Sequence, residues 1–353
     1  MEFFVPGRTE LIGNHTDHQK GRVLAAAVSA GISARAERRA DDRIVVHSEG
    51  FETVDICSTQ LAPRPEEAGR AAALVRGMAF AMAGAGFHVG GFEARIRSDL
   101  KPGGGLSSSA AFTVLIGRII NELYNGGRAA ALTIAECAQR AENLHFGKPC
   151  GLMDQLVCAM GGTVYIDFLT GECRNVFCDF GEMGFCLCLT DTGGSHVGLT
   201  EAYAAILADM HREAERFGRE LLGYVNPKDF FSQPEREDAP YLRAKHFFEE
   251  NDRVPQMRRA IEERDGAACA ALMNASGRSS ERLLKNIRTA AGDDRLERGL
   301  ALSGALLAGR GAWRVHGGGF AGCVQALVPC GIFEEYRTAM DAVFGAGSCM
   351  KIM

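Results

Sequence analysis

No stretch of this chain approaches the roughly 20 uninterrupted apolar residues that a membrane-crossing helix needs, so no membrane partner is expected. Basic charge is not in excess either. Lys+Arg number 39 against 44 Asp+Glu, the net charge is −5, and the basic residues are scattered, which argues against a nucleic-acid surface and for a small-molecule partner. Twelve cysteines are present, but no pair of CxxC knuckles exists among them to close a zinc site. Cys186 and Cys188 alternate onto one face of a strand in FCLCL and read as buried thiols. The opening MEFFVPGR lacks the charged start and apolar core of an export signal, so a cytoplasmic protein with reduced thiols is expected. Internal repeats and low-complexity tracts are absent as well.

What is present is a globular composition, 46% hydrophobic and 24% charged, in 353 residues. That length exceeds what one hydrophobic core usually fills, so two domains are expected, over residues 1–180 and 181–353. Residues 1 to about 57 read as strands and turns, and AAALVRGMAFAMAGAGF at 71–87 as a helix stopped by Gly84 and Gly86. GGFEARIRSDL is an alternating strand that leads through a Gly/Ser cluster into the apolar helix AAFTVLIGRIINELY. Thr133 and Glu136 stand three apart, as in a capping box, and predict a helix start there that carries Glu142 in its last turns. Leu199, Tyr203, Leu207, Met210 and Phe217 form one stripe of a helix over 199–217, and NPKDFFSQPERED reads as an exposed connection.

Three clusters carry chemistry. Gly103, Gly104, Gly105, Leu106, Ser107, Ser108 and Ser109, after Pro102, make a loop whose glycines let backbone N–H groups close around an anion, with a helix N-terminus following. It lacks the GxxxxGK of a Walker loop, and taken alone it could be a flexible turn. Pro6 to His18 packs Arg8, Asn14, His15, Asp17 and His18 into one turn-rich stretch able to hydrogen-bond several hydroxyls, as a sugar demands; taken alone it could equally be a solvated loop. Glu142 and Asp154 place two carboxylates twelve residues apart across Pro149-Cys150-Gly151, one suited to a metal and the other to a hydroxyl, or else an ordinary surface pair.

All three clusters match one family in order. Pro6 to Gly21 resembles the galactokinase signature GRxNLIGEHTDYxxG, the serine loop resembles the PxGGGLSSSA loop of the GHMP kinases, and AENLHFGKPCGLMDQ resembles AExxxxGxPCGxMDQ. His316 to Cys323 is similar to the closing TGGGFGGC. The chain is thereby identified as a member of the galactokinase-like GHMP kinases. The resemblance implies a two-domain α+β fold, with an N-terminal mixed-sheet domain of the ribosomal protein S5 domain 2-like kind and a C-terminal ferredoxin-like domain. It also implies ATP and Mg²⁺ as cofactors and phosphorylation of the anomeric hydroxyl of a sugar, galactose first, by a protein expected to act as a monomer. By position Asp154 matches the catalytic Asp and Arg8 the Arg beside it, while residues 103–109 match the ATP loop. Glu142 with Ser108 or Ser109 matches the metal ligands, and Asn14, His15, Asp17, Gly151 and Tyr203, together with Arg8 and Asp154, match the sugar contacts.

Asn14 departs from the family's Glu, which would meet the 6-hydroxyl of galactose. A neutral amide tolerates a carboxylate at C6 that Glu would repel, which opens galacturonate or another sugar as the substrate. Ser195 stands where the family has Arg, so Asp154 is expected to rely on Arg8 alone. Only five residues precede the signature, which predicts a short first strand. A catalytically idle sugar sensor is a second class of function, but the serine loop that such proteins tend to lose is retained. Mevalonate or homoserine kinases share the loop without the LIGxHTDH or PCGxMDQ stretches. His145 reads as a buried or helix-face histidine, and His316 as either an ATP contact or a space filler.

Overall fold

A computed structural model describes residues 1–101, 103–194, 199–288 and 292–353, with the Thr200 side chain left aside. By contacts the chain forms two compact units, the first of Met1–Thr9 and Ala27–Gly162, the second of Glu10–Ala26 and Thr163–Met353. This division is not the single cut at 180 expected from the sequence. The hairpin segment 10–26 belongs with the C-terminal residues because its backbone is held by groups on helices more than 200 positions away, such as Glu250.

The first unit is built on strands β1 (Glu2–Ile12), β2 (Arg22–Arg38), β3 (Arg43–Ser48), β4 (Val54–Cys57) and β5 (Phe92–Ser98), of which β1 and β2 run on into the second unit. Here β2 pairs antiparallel with β5 from Ile32↔Ser98 to Arg38↔Phe92, β3 pairs parallel with β5, and β4 antiparallel with β3, which makes the sheet mixed. In β5 the period of two buries Phe92, Ala94 and Ile96 while their neighbours face outward. Helices α1 (Ala71–Gly84), α2 (Ser108–Asn125), α3 (Ala131–Ala141) and α4 (Met153–Met160) pack on one another. α2 is buried along most of its length, with Glu122 its one exposed residue, and it ends at Gly126 in the left-handed conformation.

The second unit adds β6 (Thr163–Asp167) and β7 (Glu172–Val176), which extend the start of β2 in antiparallel register. It then follows the order β8 (Phe185–Asp191), α5 (Thr200–Glu215), α6 (Pro227–Phe231), α7 (Ala239–Glu262), α8 (Gly266–Ser279), α9 (Arg295–Leu307), β9 (Ala312–Val315), β10 (Cys323–Pro329), α10 (Phe333–Phe344) and β11 (Cys349–Lys351). The four strands make an antiparallel sheet in the order β11-β8-β10-β9. Counted along the chain that order is fourth, first, third, second, with helices after the first and third strands, which is the ferredoxin-like arrangement. Cys186 and Cys188 lie buried on one face of β8 as expected.

Four expectations need correction. β1 is not short, because the signature residues PGRTELI themselves continue the strand to Ile12. α3 begins at Ala131 and no side chain caps it, so Thr133 and Glu136 lie inside the first turns and form no capping box. On α5 the buried stripe runs through Ile206, Met210 and Ala214, while Leu207 is 36% exposed; a shift of one position turns a side chain by about 100° around the axis. The stretch 226–238 is not merely a connection. Asn226 accepts from the Lys228 amide and caps α6 with Pro227 at its first position, and this delivers Phe230 into the core against Phe217, Tyr241 and Phe248. Phe230 is fully buried, so Phe230→Ala is expected to cost about 3–5 kcal/mol in a denaturant titration, whereas a surface loop would register almost nothing.

Candidate functional site

In the first unit the chemistry gathers at the start of α2. Gly103 and Gly105 have φ of +75° and +78°, and Ser107, at φ +56°, brings the chain into the helix. Pro102 lies outside the described residues. Leu106 is buried and its carbonyl accepts from the Arg8 amide at 3.2 Å, which pins the loop to β1. The Ser107 hydroxyl does not cap α2; it donates instead to Asp154 Oδ2 at 2.5 Å, so the amide-rich helix start stays available to an anion.

Asp154 stands in the first turn of α4, where the helix dipole favours a carboxylate. Arg8 Nε donates to its Oδ1 at 2.6 Å and Arg8 Nη1 to the Gly105 carbonyl at 2.9 Å, so one guanidinium ties the carboxylate to the glycine loop. Burial by itself would raise the Asp154 pKa. The charge and hydrogen bond of Arg8, then the Ser107 hydroxyl and the charge of Lys148, outweigh burial and hold the carboxyl below its ordinary range. Asp154 does not rely on Arg8 alone, and neither Lys148 nor the Ser107 bond was anticipated. Ser195, from which that reliance was argued, lies outside the described residues.

Glu142 opens a π turn, Glu142–Phe146, closed by Gly147 at φ +80°. Its carboxylate is fully buried and accepts from Gln155 Nε2 at 3.0 Å, Ser109 Oγ at 3.3 Å and Lys148 Nζ at 3.3 Å. Lys148 Nζ also lies 3.4 Å from Ser109 Oγ, so an ammonium sits between a carboxylate and a hydroxyl, the hard oxygen donors that Mg²⁺ prefers. Ser109 is the serine joined to Glu142; Ser108 lines, with Ser109, Phe51, Leu74 and Phe112, a cavity of about 960 Å³. Gly151 is exposed before α4. His145 is buried against Phe80 with no hydrogen-bond partner among the described residues, and burial lowers its pKa, so it is a neutral core side chain.

The sugar-signature residues belong to the second unit. Gly13 turns at φ +108°, where a Cβ would lie 2.7 Å from the Arg22 carbonyl, so glycine is required. Asn14 is 1% exposed and its amide is used inside the fold: Nδ2 donates to the Gly317 carbonyl at 2.6 Å, and Oδ1 accepts from Ser280 and Asn286 at 3.3 and 3.4 Å. His15 Nε2 lies 3.1 Å from the Gly318 carbonyl and His15 Nδ1 3.2 Å from His18 Nε2. A carbonyl only accepts, so Nε2 of His15 carries the proton, Nδ1 accepts from His18 Nε2–H, and His18 Nδ1 faces the Gln19 amide. Burial lowers the pKa of both rings, that of His18 to about 3, so this chain of tautomers is neutral. Asp17 opens a 3-10 turn and is half-buried. The Tyr203 hydroxyl donates to the Gly319 carbonyl at 2.8 Å, and its ring packs edge-on against Phe320. His196, the landmark for Tyr203, lies outside the described residues, and His316 is buried at the end of β9.

Two residues that the sequence did not reveal hold this loop from α7. Glu250 Oε1 accepts from the amides of Gly13 at 3.1 Å and Asn14 at 3.2 Å, and His246 Nε2 meets the Asn14 carbonyl at 2.9 Å. In a lone sequence an acidic residue in HFFEENDR looks like a solvated helix face; its spacing of four from His246 was the only hint of a shared face.

Residues 71–162 match the GHMP kinases N terminal domain and residues 1–38 the galactokinase galactose-binding signature. The chain is 30% identical to a galactokinase of Staphylococcus carnosus, covering 92% of this chain and 84% of that one, and 29% identical to a galactokinase of Streptomyces coelicolor, covering 97% and 88%. Among solved structures it is similar to Lactococcus lactis galactokinase complexed with galactose, with a TM-score of 0.85 and 25% identity over 97% of this chain and 89% of that one. A mevalonate kinase, at a TM-score of 0.70 and 17% identity over 97% and 96%, shares the fold.

Proposed function

We propose, from the premise that this chain belongs to the galactokinase family of GHMP kinases, that it transfers the γ-phosphoryl group of ATP to the 1-hydroxyl of galactose. The observation that supports this reading best is the Arg8–Asp154–Ser107 cluster at the mouth of the glycine loop. An ionised Asp154 accepts a hydrogen bond from the sugar hydroxyl, aims its lone pair, and takes its proton as the bond to phosphorus forms. Arg8 offsets charge on the phosphoryl group in flight, and the loop amides with the α2 start cradle the phosphates. The cavity beside Ser108 and Ser109 receives the nucleoside. Glu142 and Ser109 would hold Mg²⁺, which when bound neutralises phosphate charge.

Asn14 favours a second reading at C6 less than the sequence did. Its Nδ2 donates to a carbonyl at 2.6 Å, a bond that a carboxylate cannot make. Asn14→Glu is therefore expected to lose about tenfold in kcat/KM for galactose and to melt earlier, because a buried acceptor is left facing a second acceptor. A gain on galactose would show instead that residue 14 reads the sugar.

The deciding experiment is ATP turnover against galactose, galacturonate, arabinose, N-acetylgalactosamine and glucose. Galactose as the best substrate is the expected result. Preference for galacturonate would replace it with the C6 reading. Silence on every sugar with ATP still bound would leave a sensor.

A further inference from the structure

A groove of about 1230 Å³ lies wholly within the second unit, between the end of α8 with the π turn that follows it, Ser280–Leu284, and α9, with β9 as its floor. One wall is cationic. Arg278, Arg282 and Lys285 line it, all exposed, and their side chains have no ion-pair or hydrogen-bond partner among the described residues. Glu281 shares that wall, and across the groove Glu297 is paired with Arg288 at 2.5 Å, so the lining cations outnumber the lining acids on a chain whose net charge is −5. The α9 side is apolar, formed by Leu300, Ala301, Gly304 and Ala308, and Trp313, the chain's only tryptophan, lies half-buried with its indole against Gly304.

Unpaired like charges side by side repel one another, and a fold gains nothing by keeping them along a concave wall unless an anion joins them. Two arginines with their planar donor forks suit phosphate oxygens, and an apolar side with an indole against it suits a flat ring. The backbone adds a second observation. Lys285 closes the π turn at φ +57°, an uncommon conformation for a side chain without special need of it, and this turns Lys285 to the groove while Asn286 faces inward to Asn14 and to the Gly318 carbonyl. The turn that presents the cations therefore also carries two groups, Ser280 and Asn286, that hold the signature loop.

We propose that this groove is a second small-molecule site, which takes a phosphorylated ligand with a flat ring, of the nucleoside diphosphate class. The proposal does not rest on the kinase reading, because binding is read without turnover. Trp313 makes the test direct, since all tryptophan emission comes from this groove. The full chain is titrated with UDP, with uridine and with inorganic pyrophosphate, in wild type and in an Arg278→Ala/Arg282→Ala/Lys285→Ala variant. Expected are a saturable change in Trp313 emission with UDP, competition by pyrophosphate, no response to uridine, and at least about tenfold weaker UDP binding in the variant. The variant's kcat and KM for ATP stay at wild-type values. If the triple variant does not fold, Arg282→Gln alone carries the test, with a smaller loss in the same direction. An emission that does not respond to millimolar UDP, or that responds equally in wild type and variant, overturns the proposal.

Discussion

Asp154→Asn is expected to lower kcat about a thousandfold, close to 4 kcal/mol of barrier, while KM for ATP changes little. Asparagine keeps the shape, and its carbonyl oxygen can still accept from Arg8 at the 2.6 Å position. What it lacks is the charge and the ability to take a proton, so the loss falls on the chemical step rather than on binding. Arg8→Lys tests the other half of the pair. A lysine ammonium lacks the guanidinium's planar fork, whose separate Nε and Nη1 fix Asp154 and the Gly105 carbonyl at set positions, so the loop and the carboxylate are held less firmly and both kcat and KM for ATP suffer. The pH profile separates this account from a purely structural one. Arg8 and Ser107 hold the folded Asp154 below the ordinary carboxylate range despite burial, so it stays ionised from neutrality down to that range and contributes no acid limb near pH 5. A turnover limb near pH 6 that disappears in Asp154→Asn would contradict the assignment.

How much of this arrangement could be read from residues alone follows from how local each signal is. The glycine loop announces itself because conformational freedom and an adjacent helix start are properties of neighbouring residues, and Gly103, Gly105 and Ser107 indeed take positive φ. Arg8 and Asp154 meet across 146 positions, and only the family resemblance could pair them, since nothing in either neighbourhood encodes the other. The same distance hid Glu250, which grips the Asn14 amide from 236 positions away and has no motif of its own. The strand alternation of β5 is plain in its residues, whereas on α5 Ile206 and Leu207 lie within one step of the helical repeat. Asn14 shows what a substitution alone leaves unread: in place of the family's Glu it suggests a statement about the sugar, while the amide's partners Gly317, Ser280 and Asn286 in its own fold carry no local signal in the sequence.

Removing Glu250 is expected to destabilise the protein by about 3–5 kcal/mol, since Glu250→Ala leaves two buried amides without an acceptor and takes a charge from beside Arg253 and Arg314. The isosteric Glu250→Gln should recover part of this, because its carbonyl oxygen can still accept from Gly13 and Asn14. The same cluster sets an acid limit. Burial opposes the Glu250 charge, but neighbouring His246, Arg253 and Arg314 and the Ser276 hydroxyl overcome it and bring the folded pKa to about 2, from 4.5. Burial lowers His246 to about 4 and His18 to about 3, each from 6.5. All three folded values are depressed, so the unfolded chain binds more protons as pH falls, and stability is complete above the unfolded values and lost below them. The histidines begin the loss at pH 6.5 and continue it to about 4 and about 3, and Glu250 adds to it from 4.5 to about 2. Urea unfolding followed from pH 8 to about pH 4 should thus show a plateau and then a fall, each histidine adding at most about 1.4 kcal/mol per pH unit. His246→Gln can donate to the Asn14 carbonyl and accept from Ser279 without titrating. Its slope below pH 6 should be shallower by about one proton; an unchanged slope would mean that His246 is already charged in the folded protein and that the loop is held by a different balance of charges.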